Sequence, residues 1–253
     1  MIDTHCHVHD PAFDEDRDEV VRRARDAGVR AMVTIGEDLT DSRRAIDTAQ
    51  EYAINSAPGI HPHRAQEAPA DLASQLAALL GEPGVVALGE IGLDYYYEHS
   101  PRAKQIEVLR AQIEIARERN VPVIFHQRDA FDDFVTVLRE EWKPGMRGVV
   151  HCFTGTASEA AIYRDEFGLL LGIGGVVTFP KAQALRDAVA SVGASAIVLE
   201  TDCPYLAPVP QRGRRNEPSF LSHIAAAVAS LLAEPLDDVI AATDANAQWL
   251  FGI

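Results

Sequence analysis

Short apolar runs alternate with amphipathic stretches along the whole chain. Runs rich in Val, Ile and Leu at residues 1–7, 30–35, 55–60, 85–90, 121–126, 148–152, 169–173 and 196–201 predict strands buried on both faces. The residues between them carry helical spacing. The clearest case is 101–118, where Ile106, Leu109, Ile113 and Ala116 recur on one helical face. Pro101 suits the first turn of that helix and Asn120 its end. After the last strand the sequence reads as helical to Ile253. Eight βα units in 253 residues predict an α/β fold, a TIM (β/α)8 barrel, as a single domain over residues 1–253. A doubly wound open sheet is the competing architecture. The Gly-rich turn it needs after the first strand is replaced here by HVHDPAF.

Composition narrows the class. Apolar residues make up 47%, ordinary for a globular enzyme. No apolar run approaches the ~18 residues of a membrane span, so no membrane partner is expected. The first residues read as a strand, not a signal peptide. Three widely spaced cysteines with no Cys-x-x-Cys argue against a disulfide framework. They read as packing thiols in a reducing, cytoplasmic setting. The net charge of -15 favours solubility and opposes binding to long polyanions, unless local cations or metals intervene.

In a barrel the active site lies at the C-terminal ends of the strands. Strand one ends in His5 and His7, and strand three runs into GIHPH with His61 and His63. Strands four, five, six and eight end at Glu90, His126, His151 and Asp202. Side chains alternate along a strand, so His5 and His7 aim the same way and Cys6 the other. Each residue alone has a bland reading: a packed histidine, an ion-pair member, a helix cap. Together they would be a costly cluster of buried polar groups, at roughly 1–3 kcal/mol for each one unsatisfied. A shared cation removes that cost. Imidazole with carboxylate suits transition metals, and a bridging carboxylate suits a two-metal site.

The motifs DTHCH, GIHPH, GEIGLDYY, FHQRDA, HCFTG, TFPKA, ETDCPYLAP and RGRRNEP, with the tail NAQWLFGI, stand in the order found in the TatD family of metal-dependent deoxyribonucleases. The chain resembles that family from Met1 to Ile253. The resemblance implies an amidohydrolase-type barrel that uses two divalent metals (Zn, Mg or Mn) to hydrolyse DNA phosphodiesters. In several members this is 3′→5′ exonuclease activity, here expected on single strands or ends. It matches His5 and His7 to the strand-one metal pair and Glu90 to the bridging carboxylate. His126 and His151 match second-metal ligands, and Asp202 the strand-eight aspartate. A lysine often stands where this chain has Arg214 or Arg215.

The expected chemistry assigns Asp202 as general base and His61 to the scissile phosphate or the leaving group, with Glu90 completing the catalytic set. His63 is expected to support its loop, and Asp94 to partner a ligand histidine. Arg212, Arg214 and Arg215 on the long loop 207–220, with Lys181 and Arg128, are candidate phosphate contacts. A solvated loop or an ion pair with Glu217 is the plainer reading of those arginines. Among Tyr95, Tyr96 and Tyr97, one could stack on a base while at least one packs. A small basic patch on an acidic body suits DNA ends or short oligonucleotides, and a monomer is expected. A different bond on the same two-metal centre, an aminoacyl ester, amide or lactone, is the alternative.

Overall fold

Each predicted apolar run overlaps a strand in the computed structural model, which describes residues 1–253. The strands are β1 (Ile2–Cys6), β2 (Ala31–Ile35), β3 (Asn55–Ala57), β4 (Leu88–Asp94), β5 (Val123–Arg128), β6 (Gly148–Val150), β7 (Leu170–Ile173) and β8 (Ile197–Leu199). Seven helices separate them: α1 (Arg17–Asp26), α2 (Leu39–Tyr52), α3 (Leu72–Leu79), α4 (Arg102–Arg119), α5 (Phe131–Glu141), α6 (Ala157–Phe167) and α7 (Gln183–Val192). Helices α8 (Leu221–Leu232) and α9 (Leu236–Phe251) follow β8. None is long and apolar enough to cross a membrane. The chain divides into two compact units, residues 1–34 with 152–253, and residues 35–151.

In the first unit β1 pairs in parallel with β2, Ile2 opposite Ala31, and β7 pairs in parallel with β8, Leu171 opposite Ile197. Every residue of β1 is buried, as a strand covered on both faces requires. Beyond the ends of β1 and β8 the backbones stay joined. Asp202 N–H donates to the His5 carbonyl at 2.9 Å and His7 N–H to the Cys203 carbonyl at 2.8 Å. Helix α9 ties the start of β1, because its Asp244 carboxylate accepts from Ile2 N–H at 2.8 Å. Helix α6 opens with a reciprocal Thr156–Glu159 capping box and closes on Gly168 in the left-handed region.

In the second unit β4 pairs with β5 and β5 with β6, all parallel. Ser56 of β3 bridges Val85, just before β4. Helix α4 buries Leu109, Ile113 and Ala116, and leaves Ile106 half-buried. Each fully buried leucine or isoleucine contributes roughly 1.5–3 kcal/mol. Asn120 ends the helix with φ 52, and Pro101 stands at the N-cap, one residue before the predicted place. The same buried face also carries Gln105 and Gln112.

Strand β4 departs from expectation. It was predicted to stop at Glu90 and instead runs to Asp94. Gly92, which reads as a strand breaker, is what lets it continue. Its φ is 154°, and a Cβ there would stand 1.8 Å from the His126 carbonyl oxygen of the neighbouring strand. Only glycine permits so close a pairing.

Candidate metal centres and catalytic groups

In the first unit, β1 and the turn after β8 bring together His5, His7 and Asp202. The Nε2 atoms of His5 and His7 lie 3.3 Å apart. Asp202 Oδ1 is 3.9 Å from His5 Nε2 and 3.6 Å from His7 Nε2. Two imidazoles bound tetrahedrally to one zinc-like ion, with bonds of about 2.05 Å, would hold their nitrogens about 3.3 Å apart. The pair therefore has the spacing of two nitrogens on one cation, and the Asp202 carboxylate stands beside it. Both imidazoles are buried.

Asp202 is held by its backbone. Its φ of 57° lies in the left-handed region, sparsely used by residues other than glycine and tolerated by aspartate. Neighbours secure it. Thr201 donates from its N–H to Asp3 Oδ1 at 2.9 Å and from its hydroxyl to Asp3 Oδ2 at 2.6 Å. Buried Asn216 donates to the carbonyls of Thr201 at 2.7 Å and Tyr205 at 2.6 Å. Burial raises the Asp3 carboxyl to about 7 despite the bonds from Thr201. Asp3, Thr201 and Asn216 position the site and were not singled out from the sequence, because polar residues at strand starts and in loops look ordinary there.

In the second unit, Glu90, His61, His126 and His151 gather around one carboxylate. Glu90 Oε1 is 2.7 Å from His126 Nδ1, 3.6 Å from His61 Nε2 and 3.6 Å from His151 Nε2. Ligand atoms of His61, Glu90 and His126 all lie within 4.8 Å of one another. His126 Nε2 contacts Asp94 Oδ2 at 3.0 Å. An imidazole that donates Nε2–H to a carboxylate keeps its Nδ1 lone pair for a metal, the usual outer support of a ligand histidine. Burial alone would lower the His126 pKa, but Asp94 and Glu90 outweigh it and hold it above the ordinary value. Asp94 also accepts from His63 Nε2 at 3.0 Å. Burial would raise its pKa, yet the two imidazoles hold this carboxylate well below the usual range.

His61 is built differently. Its Nδ1 accepts the His63 backbone N–H at 3.1 Å, so the neutral ring carries its proton on Nε2. Burial holds its pKa well below 6.5. The ring is thus a neutral N–H donor aimed towards Glu90. Gln112 fixes the preceding residue, its amide accepting from Ile60 N–H at 2.8 Å and donating to the Ile60 carbonyl at 3.1 Å. Gln105 grips Asp94 in the same way, at 2.8 and 3.0 Å.

The candidate phosphate contacts are in unequal states. Arg215 makes a bidentate pair with Asp16, at 2.8 and 2.6 Å, and lies over the Phe13 ring at 4.5 Å. Arg212 lies over Phe179 at 3.9 Å. Arg214 and Lys181 are exposed. Glu217 pairs with Arg23 of α1 at 2.6 Å, and not with an arginine of its own loop. In the second unit, exposed Arg128 lies over Tyr96 at 3.9 Å. The three cysteines are free, with Cys6 and Cys203 buried.

A family model described as TatD related DNase matches residues 2–252. The chain is 39% identical to the Bacillus subtilis protein named uncharacterized metal-dependent hydrolase YabD, over 100% of this chain and 99% of that one. It is also 39% identical to the Erwinia amylovora protein named 3'-5' ssDNA/RNA exonuclease TatD, over 100% of both chains. Among solved structures, YJJV, a TatD homolog from Escherichia coli, is similar with a TM-score of 0.94 at 30% identity, covering 100% of this chain and 98% of that one. The fold class is an α/β TIM barrel.

Proposed function

The chain belongs to the TatD-related DNase family, and from that premise we propose that it is a metal-dependent hydrolase of nucleic-acid phosphodiester bonds, working from the 3′ end of single-stranded DNA. The observation that carries this reading is the His5–His7–Asp202 set, with its two imidazole nitrogens 3.3 Å apart. The cluster around Glu90 supports a second ion, held by Glu90, His126 and His151. Zn, Mg or Mn would each serve.

Divalent metals supply neutralisation of phosphate charge and acidification of a water molecule. The chain's own residues do the rest. Asp202 accepts a proton from the attacking water as its oxygen joins phosphorus. His61 donates its Nε2–H to a phosphate oxygen in a hydrogen bond. Its low pKa makes that neutral role fit better than proton transfer to the leaving group. The bond from phosphorus to the leaving oxygen breaks, and that oxygen takes up the proton that Asp202 accepted, returned through water. Asp94 fixes the His126 ring throughout. Arg214, Lys181 and Arg128 are exposed cations for neighbouring phosphates. Arg212 joins them from its place on Phe179. Arg215 reaches a phosphate only by leaving Asp16. DNA ends or short oligonucleotides are the substrates proposed, with a cytoplasmic monomer as the working form.

The test is incubation with 3′- and 5′-end-labelled single-stranded DNA in Mg²⁺, Mn²⁺ or Zn²⁺. Wild type is expected to shorten the strand from its 3′ end, and Glu90→Gln to lose at least a hundredfold in rate. Intact strands with every metal would overturn the reading.

A further inference from the structure

Two large aromatic side chains stand partly in solvent near the Glu90 cluster, and Tyr97 also stacks on His99 at 5.4 Å and meets His63 edge-on at 5.5 Å. Tyr96 is 57% exposed and Tyr97 is 51% exposed. The preceding Tyr95 is different: its hydroxyl donates to Asp133 at 2.7 Å and Arg102 covers its ring at 4.2 Å. Tyr95 is therefore a packing residue.

The exposed pair is ordered against itself and against a cation. The rings of Tyr96 and Tyr97 meet edge to face, with centroids 4.7 Å apart at 89°. The Arg128 guanidinium lies 3.9 Å from the Tyr96 centroid and 4.9 Å from that of Tyr97. The patch is also tied to a candidate metal ligand. Asp94 Oδ1 accepts the backbone N–H groups of Tyr96 at 3.0 Å and Tyr97 at 2.9 Å. The other oxygen of the same carboxylate holds His126 Nε2 at 3.0 Å. One buried side chain thus sets the aromatic pair and the imidazole in fixed register.

We propose that Tyr96, Tyr97 and Arg128 form a stacking subsite for an unpaired nucleobase of the strand being cut, an inference that rests on the phosphodiesterase reading above. Every base has a π-face, so aromatic rings accept any of them. Arg128 adds a cation to the stack and a positive charge for an adjacent phosphate. A duplex keeps its bases inside the helix and offers none to the rings. The subsite therefore selects single strands without selecting sequence.

The experiment uses Mn²⁺-loaded protein and an oligonucleotide with 2-aminopurine near its 3′ end, its last linkages phosphorothioate to slow cutting. Binding is expected to quench the fluorescence. Tyr96→Ala and Tyr97→Ala should each weaken binding by about tenfold, and Tyr96→Trp should restore it. On a strand made abasic at its 3′-terminal positions, the alanine variants should bind as wild type does. Equal weakening on both strands would make the tyrosines structural, and no weakening on either would leave the patch to another partner. Either result overturns the subsite. The outcomes stay separate from the hydrolase reading. Tyrosine-dependent binding without cleavage of ordinary strands in any metal defeats the hydrolase and spares the subsite. Cleavage with tyrosine-independent binding does the reverse.

Discussion

At the scale of single residues, the chemistry rests on how donors are paired. Asp94 uses one oxygen for two backbone amides and the other for two imidazoles. Asp94→Asn keeps an acceptor for the amides but removes the charge that fixes the His126 tautomer. Losing such outer support typically costs 10–100-fold in metal affinity. Titration of the variant against a competing chelator should give a loss in that range, and unchanged affinity would show that Asp94 does not support a ligand. His-x-His was legible at this scale because a strand's period of two aims alternate side chains together. Gln105 and Gln112 were not legible. They occupy positions on the apolar stripe of α4, seven residues apart, where a polar residue looks like noise. Their purpose depends on backbone groups of Asp94 and Ile60, which are distant in sequence.

At the scale of elements, loop 207–220 is held to α1 by Arg23–Glu217 and to the residue capping α1 by Arg215–Asp16. Burial alone would raise the Glu217 pKa, but the bonds from Arg23 and Ser219 outweigh it and hold the carboxyl below its ordinary value. A folded-state pKa depressed in this way contributes stability above the unfolded value. That contribution is lost as pH falls through the folded value. Glu217→Gln should therefore be less stable than wild type at pH 7 by about 1 kcal/mol, a modest figure because Arg23 is partly exposed to solvent. Denaturant melts across pH should show the gap closing below the ordinary glutamate range. A gap that persists in acid would mean the ion pair is not its source. The loop itself was read as long and Arg-rich, while its ion partners Arg23 and Asp16 lie some two hundred residues away and left no local signal. The extension of β4 past Glu90 was hidden for a related reason. Gly92 breaks a strand in isolation and permits one only beside the His126 carbonyl.

For the whole molecule, alternation of apolar runs and amphipathic stretches was enough to read the barrel class, because the period of each segment fixes its type and its order fixes parallel pairing. Charge is also a whole-molecule property. A chain of net charge -15 with few exposed cations near its ligand clusters should grip few phosphates. If about three are neutralised on a single strand, the slope of log affinity against log salt is about -2. Titration with a short oligonucleotide from low to moderate salt checks this, and a slope several times steeper would point to an extended basic track that this account lacks. The most direct test is metal content measured by elemental analysis of purified protein, wild type beside His5→Asn and His126→Asn, with nuclease rates on the same samples. The account predicts that each variant loses one of the ions bound by wild type and most of the activity. Variants with wild-type metal content, or full activity in metal-stripped protein, would contradict it.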